Sequence, residues 1–277
     1  ALPIFIMLSI TFPTVSPILF ELGPIAIRWY SLAYIVGFLF SWKYIQYLTQ
    51  QKSFFAIRHN ITSKDVDDLI FYGVIGLILG ARFGYVLFYN FNYYISEPIR
   101  IFYVWEGGLS FHGGLLGIIL TVILFSKNKD FTFLTLTDLI CASAPVGLFL
   151  GRISNFINAE LYGRPTEVFI GIIFPNTEGL HRHPSQIYEA LLEGLLIFIV
   201  LNILIHRYKK LKQTGFISGM FLVLYSLFRF LIEFTREPDI QVGYIFNYLT
   251  MGMILSLPMF LSGIILIIYS KNNVSKK

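Results

Sequence analysis

The chain has 277 residues, of which 56% are hydrophobic and only 13% are charged, and its formal net charge at pH 7 is +5. Soluble domains average about 25% charged residues. The composition therefore excludes an ordinary soluble protein and indicates a polytopic membrane protein. The positive charge is interpreted as a signal of membrane topology, and no nucleic-acid partner is expected. A single cysteine, Cys141, excludes an intramolecular disulfide and is predicted to be a small buried hydrophobe.

Seven apolar stretches predict membrane-spanning helices, since one span needs about 20 mostly apolar residues. They cover residues 26–48, 68–89, 111–125, 134–153, 187–205, 215–234 and 244–269. The third stretch is short, which favours a tilted or partly re-entrant segment. We predict an all-α polytopic membrane protein with seven transmembrane helices, built as a single integral membrane domain over residues 1–277.

The distribution of lysine and arginine predicts the orientation, because cytoplasmic loops are enriched in these residues. The connections after spans one, three and five and the C-terminal tail carry Lys52, Arg58, Lys64, Lys127, Lys129, Arg207, Lys209, Lys210, Lys212, Lys271, Lys276 and Lys277. The opposite connections carry only Arg100, Arg164, Arg182 and Arg236. We therefore expect an outer N-terminus and a cytoplasmic C-terminus.

Two stretches are expected on the outer side. Residues 1–20 are apolar but contain Pro3, Pro13 and Pro17, which favours a short segment in the outer interface over a signal peptide. The connection 154–186, between spans four and five, is the longest, and loops of this length usually have a function. Its segment GRPTEVFIGIIFP is typical of a short strand or hairpin. We predict an outer-side head loop there.

Charged side chains inside the sixth predicted span are a strong functional signal, because charges at membrane depth are costly unless they are paired. Tyr225, Arg229, Glu233 and Arg236 are spaced four, four and three residues apart, so they share one helix face. Glu233 can neutralise one arginine but not both, which leaves a cation for a ligand. A purely structural ion pair is the alternative interpretation.

The segment 151–166, GRISNFINAELYGRPT, directly follows the apolar end of the fourth span. It brings Arg152, Asn155, Asn158, Glu160 and Arg164 to the membrane edge. Charged and amide groups there require partners or a ligand. We therefore expect this segment to contribute to a binding site.

The outer ends of the first three spans add further candidates. Tyr30 follows Arg28 and Trp29, a trio that equally fits an interfacial anchor. The sequence GARFGYVLFYN ends span two, and WEGGLSFHGG begins span three with His112 among glycines that let the backbone approach a ligand closely. Histidine is a common general base, although a lone histidine is more often merely hydrogen-bonded. The candidates in span two are Arg82, Tyr85 and Tyr89.

Other site types have little support in the sequence. His181 and His183 form an HxH pair, a weak zinc signal, and the chain has no HExxH, GxSxG or Walker motif. We predict neither a metal nor a cofactor. Arginines are expected to converge from spans two, four and six, and their forked donors suit phosphate. The residues alone therefore predict a membrane-embedded site for a phosphate-bearing lipid, facing away from the cytoplasm.

Two other functions remain open at this point. A transporter or channel for an organic anion would also use an arginine-lined cavity, although evident inverted repeats are lacking. A non-catalytic lipid-binding protein would bind the same lipid without turnover. The residues alone do not separate these alternatives from an enzyme.

Six sequence blocks are spread along most of the chain: GPIAIRWYSLAY, GARFGYVLFYN, WEGGLSFHGG, GRISNFINAELYGRPT, RHPSQIYEALLEG and FRFLIEFTREPD. These blocks resemble those of the bacterial prolipoprotein diacylglyceryl transferases and occur in that family's order. One departure is Ser154, where the family usually has glycine; because serine is small, little effect is expected.

The resemblance implies a reaction and a location. The diacylglyceryl group of phosphatidylglycerol would move to the thiol of the lipobox cysteine in a preprolipoprotein signal peptide, forming a thioether and releasing glycerol phosphate. The enzyme would be a multi-pass protein of the bacterial cytoplasmic (inner) membrane, with the bilayer as a further partner. The reacting thiol would belong to the substrate, so Cys141 needs no catalytic role.

The resemblance also implies roles for individual residues. Arg152 and Arg229 would hold the lipid phosphate and stabilise its departure, since donors aimed at developing charge are usually the largest catalytic term. His112 is the candidate base for the thiol, with Tyr30, Glu160 or the field of the arginines as alternatives. Glu233 would orient Arg229. The family's other important positions fall on Asn155, Gly163 and Tyr225.

Overall fold

The computed structural model describes residues 10–274 except 14, 24, 56–60, 239–242, 244, 246 and 247. Four of the predictions fall partly or wholly outside these residues. They concern the interfacial position of residues 1–9, the start of the seventh span at 244, and the charges of Arg58 and of Lys276 and Lys277.

Long helices make up most of the described chain, as the composition predicts. Residues Ser185–His206 run as one continuous helix formed by α6, a π-helical segment and α7. The helices are α1 (Trp29–Gln50), α2 (Ser63–Phe88), α3 (Phe91–Ser96), α4 (Phe111–Asn128), α5 (Phe133–Ile157), α6 (Ser185–Glu189), the π-helical segment (Ala190–Leu196), α7 (Ile197–His206), α8 (Phe216–Ile232) and α9 (Met251–Val274).

Five of these helices are long and apolar enough to cross a membrane. They are Ser63–Phe88, Phe111–Asn128, Phe133–Ile157, Ser185–His206 and Met251–Asn272. The first and sixth predicted spans correspond to α1, of 22 residues, and to the shorter apolar helix α8, of 17 residues. The prediction of a mostly helical, multi-pass membrane protein is therefore confirmed.

Three helix starts differ from the prediction for local reasons. Residues 26–28 belong to strand β3 (Ile25–Arg28), which pairs antiparallel with β2 (Ile18–Leu22), so α1 begins only at Trp29. The helix α2 begins early, at Ser63, because Thr62 and Asp65 form a capping box. The helix α9 begins at Met251, whose preceding residue Thr250 accepts a hydrogen bond from the backbone of Met253.

Short strands accompany the helices, whereas the predicted all-α fold class contained only the short strand or hairpin expected within residues 163–175. Strand β4 (Ile172–Ile173) pairs antiparallel with β5 (His181–Arg182) and parallel with β1 (Ile10–Thr11). The first pairing confirms the short strand expected within GRPTEVFIGIIFP. The loop itself is shorter than the predicted 154–186, because α5 continues to Ile157 and α6 already begins at Ser185.

The main buried core lies where α1, α5, α7 and α8 meet, around Leu48, Leu139, Leu201 and Ile217. Next to it, the buried carboxylate of Asp138 on α5 accepts hydrogen bonds from the first turn of α8. The donors are the backbone N–H of Gly215 at 2.6 Å and the N–H and hydroxyl of Ser218, both at 2.7 Å. This inter-helix cap fixes the start of α8 against α5.

Helices α2 and α4 pack against each other through glycines. A Cβ atom at Gly80 would collide with the backbone of Gly113, and one at Gly84 would do the same. The two backbones therefore touch, as small residues permit between membrane helices.

Cys141 is a free cysteine within α5 and is only partly buried.

Candidate active site

Arginines from two helices meet one buried carboxylate near the C-terminal ends of α5 and α8. Arg152, near the end of α5, lies with its Nη2 2.8 Å from Oε2 of Glu189 on α6. Arg229, near the end of α8, lies with its Nη1 3.4 Å from the same oxygen. The two arginines predicted to hold an anion are thus brought together, although a glutamate from a third helix lies between them.

Two further members of the predicted face, Glu233 and Arg236, complete this cluster. Nη2 of Arg229 lies 3.1 Å from Oε2 of Glu233, and Nε of Arg236 lies 3.4 Å from that oxygen. Nη1 of Arg236 also donates to Oε1 of Glu189. The expectation that Glu233 leaves one cation unpaired is therefore wrong, because Glu189 pairs with both. The prediction that these residues share one helix face is only partly correct, since α8 ends at Ile232, before Glu233 and Arg236.

Helix α9 closes over the carboxylate of Glu233. A Cβ atom at Gly252, in the first turn of α9, would lie 2.7 Å from Oε2 of Glu233. Only a glycine therefore lets α9 pass at this distance. The close approach holds Glu233, which is 4% exposed, beside Arg229 and Arg236.

Glu189 and Glu193 are the residues that the sequence prediction did not assign to the site. Both are fully buried, and Glu193 lies 3.8 Å from Nη2 of Arg152. Neither carboxylate oxygen of Glu193 has a hydrogen-bond partner among the described residues. The signal was present in the sequence, since two ionisable residues four apart in an apolar span are functional candidates. Between them begins the π-helical segment Ala190–Leu196, a feature frequent at functional sites.

A second polar cluster joins the start of α1 to the end of α5. The hydroxyl of Tyr30 donates to Oε1 of Glu160 and accepts a hydrogen bond from the side-chain amide of Asn155. That amide also lies 3.2 Å from Oε1 of Glu160, and the amide of Asn158 lies 3.5 Å from it. Oδ1 of Asn155 lies 3.5 Å from Nη1 of Arg152, which links the two clusters. Partial burial raises the pKa of Glu160 above its usual value.

Gly163 connects the head loop to the end of α8. Its N–H donates to the carbonyl of His183 at 2.8 Å, and it forms an antiparallel bridge with Arg236. A Cβ atom at Gly163 would collide with the carbonyl oxygen of Thr235. Arg164 continues the connection by donating from Nε to the carbonyl of Arg236 at 2.6 Å. Gly163, which the resemblance marks as an important position, therefore makes a close backbone contact between the head loop and the end of α8. A role in substrate binding remains a prediction.

Arg82 does not join the arginine cluster, which corrects the predicted convergence from span two. Its guanidinium donates to five backbone carbonyls between Arg100 and Gly108. Tyr85 and Tyr89 stack on each other, with ring centroids 5.6 Å apart. Among the described residues, no hydrogen bond, ion pair or ring contact connects these two tyrosines to Glu189. Their role in substrate binding remains a prediction.

His112 is the second residue of α4 and is exposed. Its ring contacts that of Phe111, with centroids 5.6 Å apart, and makes no hydrogen bond to the described residues. Tyr225 is partly buried on α8, stacks on Phe221 and packs against the main core. Among the described residues, neither His112 nor Tyr225 forms a hydrogen bond with Glu189. The predicted roles of His112 as a base and of Tyr225 in substrate binding therefore remain predictions.

Two other features concern the surroundings of the head loop. A cavity of 270 Å³ opens beside Asn158, between the N-terminal segment and the head loop, and Phe12, Tyr162 and Pro175 also line it. Within the described residues, no group of three or more His, Cys, Asp or Glu side chains has an arrangement that could hold a metal ion. His183 instead pairs with the hydroxyl of Tyr188 at 3.2 Å.

Comparison with known proteins gives a consistent result over nearly the whole chain. The family described as prolipoprotein diacylglyceryl transferase matches residues 17–269. A relative from Rickettsia felis is 51% identical over 260 residues, covering 94% of this chain and 98% of the relative. One from Rickettsia bellii is 49% identical over 258 residues, covering 93% and 96%. One from Rickettsia akari is 51% identical over 260 residues, covering 94% and 98%. All three are named phosphatidylglycerol–prolipoprotein diacylglyceryl transferase.

Proposed function

Because the chain belongs to the prolipoprotein diacylglyceryl transferase family, we propose that it transfers the diacylglyceryl group of phosphatidylglycerol to the lipobox cysteine of a preprolipoprotein. The thiol sulfur forms a bond to the terminal glycerol carbon of the diacylglyceryl group, while the bond from that carbon to the phosphate oxygen breaks. The products are a thioether and glycerol phosphate, and the thiol proton passes to a base or to the product. Family membership favours this enzyme over an organic-anion transporter or channel.

The proposed topology has seven spans. Five helices meet the length and composition of a span, and α1 and α8 supply the other two. At 1.5 Å per residue, the 17 residues of α8 reach about 26 Å, slightly less than the hydrocarbon core of about 30 Å. With basic residues enriched on alternate connections, the N-terminus and head loop lie outside and the C-terminus lies in the cytoplasm. The protein then resides in the bacterial cytoplasmic (inner) membrane.

The observation that carries the proposal is the contact of Arg152 and Arg229 with one carboxylate, that of Glu189. The side chains of the arginines are 20% and 18% exposed, whereas Glu189 is fully buried. Each arginine side chain thus stays partly accessible while its guanidinium is held by the buried carboxylate of Glu189. A phosphate oxygen fits between two such forks. In this proposal both arginines bind the phosphate of phosphatidylglycerol.

The same two arginines stabilise the leaving group. Negative charge on the phosphate increases as its bond to carbon breaks, and fixed donors aimed at that charge lower the barrier. Glu189 and Glu233 hold the guanidinium groups in place before the substrate arrives, so little reorganisation is required. Glu233 is therefore proposed to position Arg229 and Arg236.

The cluster of Tyr30, Asn155 and Glu160 is proposed to hold the glycerol head group and to position Arg152. Asn155 supports this role because it contacts both Arg152 and the hydroxyl of Tyr30. His112 is the proposed base for the thiol, whose free pKa is about 8.5. Glu160 is the second candidate, since its raised pKa makes it a better proton acceptor than an ordinary glutamate.

The reaction is tested with purified protein in detergent, phosphatidylglycerol and a synthetic lipobox peptide. The expected product carries a diacylglyceryl group in thioether linkage, identified by mass spectrometry, and glycerol phosphate appears in equal amount. The matched control is the same peptide with serine in place of cysteine. Modification of the serine peptide at a similar rate would contradict the thiol mechanism, and binding of the lipid without any product would contradict the enzyme.

A further inference from the structure

Arg82 is the most completely satisfied charged side chain near the outer surface. It lies on α2 and is 3% exposed. Nε donates to the carbonyl of Ile101 at 2.8 Å. Nη1 donates to those of Gly107 and Gly108, at 2.5 and 3.1 Å, and Nη2 to those of Arg100 and Tyr103, at 2.6 and 3.1 Å. We define residues 100–108, which contain these five carbonyls, as the outer segment.

The hydrogen-bonding capacity of this guanidinium is fully used. Arginine has five N–H donors in a fixed fork, and five carbonyls of the outer segment accept from Arg82. No donor is left for a lipid phosphate. A buried arginine whose donors all bind backbone fixes the shape of that backbone, since leaving any of these groups unpaired is costly.

The outer segment leads directly into the helix that carries His112. Gly107 and Gly108 both have positive φ, 86° and 76°, and form the turn before α4. The N–H of Ser110 then donates to the carbonyl of Ala81, next to Arg82, at 2.9 Å, and the hydroxyl of Ser110 caps α4. His112 follows two residues later. Its place relative to α2 therefore depends on contacts that Arg82 and its neighbour make.

We propose that Arg82 is a positioning residue for the transfer reaction, fixing the outer segment so that the side chain of His112 is held at the mouth of the site. This inference rests on the proposed function of His112 as the base for the thiol. It assigns Arg82 no contact with phosphatidylglycerol, with the peptide or with the reacting atoms. Arg82 acts on the rate of the chemical step through the backbone alone.

A double-mutant cycle tests this inference. Arg82→Lys retains the positive charge but cannot span five carbonyls, because an ammonium offers only three donors. Alone, it is expected to lower kcat by about 10²-fold, the effect of a misplacement of about 1 Å at a reacting group. The KM for phosphatidylglycerol should change by less than about threefold, since uniform binding is retained. In a His112→Gln background, the same substitution should cost less than about twofold, because residues that act as a unit are not additive.

Two further measurements keep the cycle interpretable. Hydrogen exchange of Arg82→Lys should increase in residues 100–112 and remain unchanged in α8, which separates a local effect from unfolding. Arg100→Lys is the matched control, because the side chain of Arg100 is 40% exposed and its contacts with Glu97, Glu106 and the ring of Tyr93 all lie within the same region. It is expected to retain wild-type kcat.

Each other outcome overturns a definite statement. Losses that multiply fully in the double variant, or a raised KM with unchanged kcat, would overturn the positioning role of Arg82. Wild-type kcat in Arg82→Lys would overturn it as well. If His112→Gln alone retains wild-type turnover, His112 is not the base, and Arg82 cannot act through it. The variant His112→Gln thus tests the proposed base, whereas the variants of Arg82 test its positioning role.

Discussion

The guanidinium of Arg152 lies 2.8 Å from the carboxylate of Glu189, on a neighbouring helix. The carboxylate is fully buried and the arginine partly exposed, so the ion pair has an inner and an outer side. An ion pair of this kind holds a cation in one orientation while leaving part of it free for an incoming anion. The first predictions concern the two sides of this pair.

Arg229→Lys should lower kcat/KM by about 10²- to 10³-fold, the usual cost of losing one donor to a developing negative charge. Lysine retains the charge but lacks the planar fork that binds a phosphate bidentately while Glu189 and Glu233 hold the same group. Steady-state transfer to the lipobox peptide measures the effect. Arg207→Lys, at an exposed position after α7, is the matched control. Equal activity of the two variants would remove Arg229 from the phosphate site.

Glu189→Gln should destabilise the protein as well as inactivate it. Removing one partner of a buried ion pair typically costs about 3–5 kcal/mol, and here Arg152, Arg229 and Arg236 would all lose their common carboxylate. Thermal unfolding in detergent should show a clear decrease in Tm. Glu178→Gln, at an exposed position in the head, should leave Tm unchanged. An unchanged Tm for Glu189→Gln would show that the cluster does not require this carboxylate.

Tyr30→Phe should shift the acidic limb of the pH profile of kcat/KM to higher pH. Burial already raises the pKa of Glu160, so activity should fall as the pH decreases through that raised value and the carboxylate takes up a proton. Removing the hydroxyl that donates to the charged carboxylate favours the protonated form further. Tyr34→Phe, at an exposed position of α1, is the control. An acidic limb at the wild-type pH would exclude Glu160 as the group that titrates.

His112→Gln should slow the transfer by about 10²- to 10⁴-fold at pH 7, the usual contribution of a general base. The deficit should decrease towards pH 9, because the peptide thiol, with a free pKa of about 8.5, then ionises without assistance. His206→Gln, at the far end of α7, serves as the control. A deficit that is independent of pH would indicate that His112 acts in some way other than by removing the thiol proton.

Gly163→Ala should separate the head loop from the end of α8. The new methyl group would overlap the carbonyl of Thr235, which the backbone can avoid only by opening the bridge to Arg236. We expect faster proteolysis of the head loop and at least about tenfold lower activity, since displacements of about 1 Å can cost more than that. Gly147→Ala on α5, where the added methyl meets nothing within 4 Å, should behave as wild type.

Much of the fold was predictable from the sequence because it depends on local patterns. Long apolar runs predicted the helices, and the segment GRPTEVFIGIIFP predicted a short strand, which the structure has at Ile172–Ile173. The early start of α2 was less accessible, because it depends on the capping box of Thr62 and Asp65, which lies outside the apolar run. The late start of α1 depends on the pairing of Ile25–Arg28 with another strand. Neither the side-chain capping box nor the strand pairing has a counterpart in hydropathy.

The candidate site was predictable in its composition but not in its pairing. The arginines of α5 and α8 stood out as charges at membrane depth, and the structure brings Arg152 and Arg229 to one carboxylate. Which glutamate would join them could not be read from spacing along one helix, since Glu189 belongs to another. Arg82 carried the same signal as Arg152, yet its donors bind backbone carbonyls of a loop. A single sequence does not distinguish an arginine that holds the chain from one that holds a ligand.

The π-helical segment Ala190–Leu196 has a consequence for how this helix tolerates change. A π-helical turn accommodates one residue more than an α-helical turn does, so the segment works as a one-residue offset between Glu189 and the apolar remainder of the helix. Each residue of an α-helix turns by about 100°. If the same residues were wound as a regular α-helix, the extra residue would turn the carboxylate of Glu189 by about 100° relative to the apolar remainder of the helix, and so away from the arginines. The π-helical winding of this segment therefore sets the alignment of the arginine cluster as much as any side chain within it.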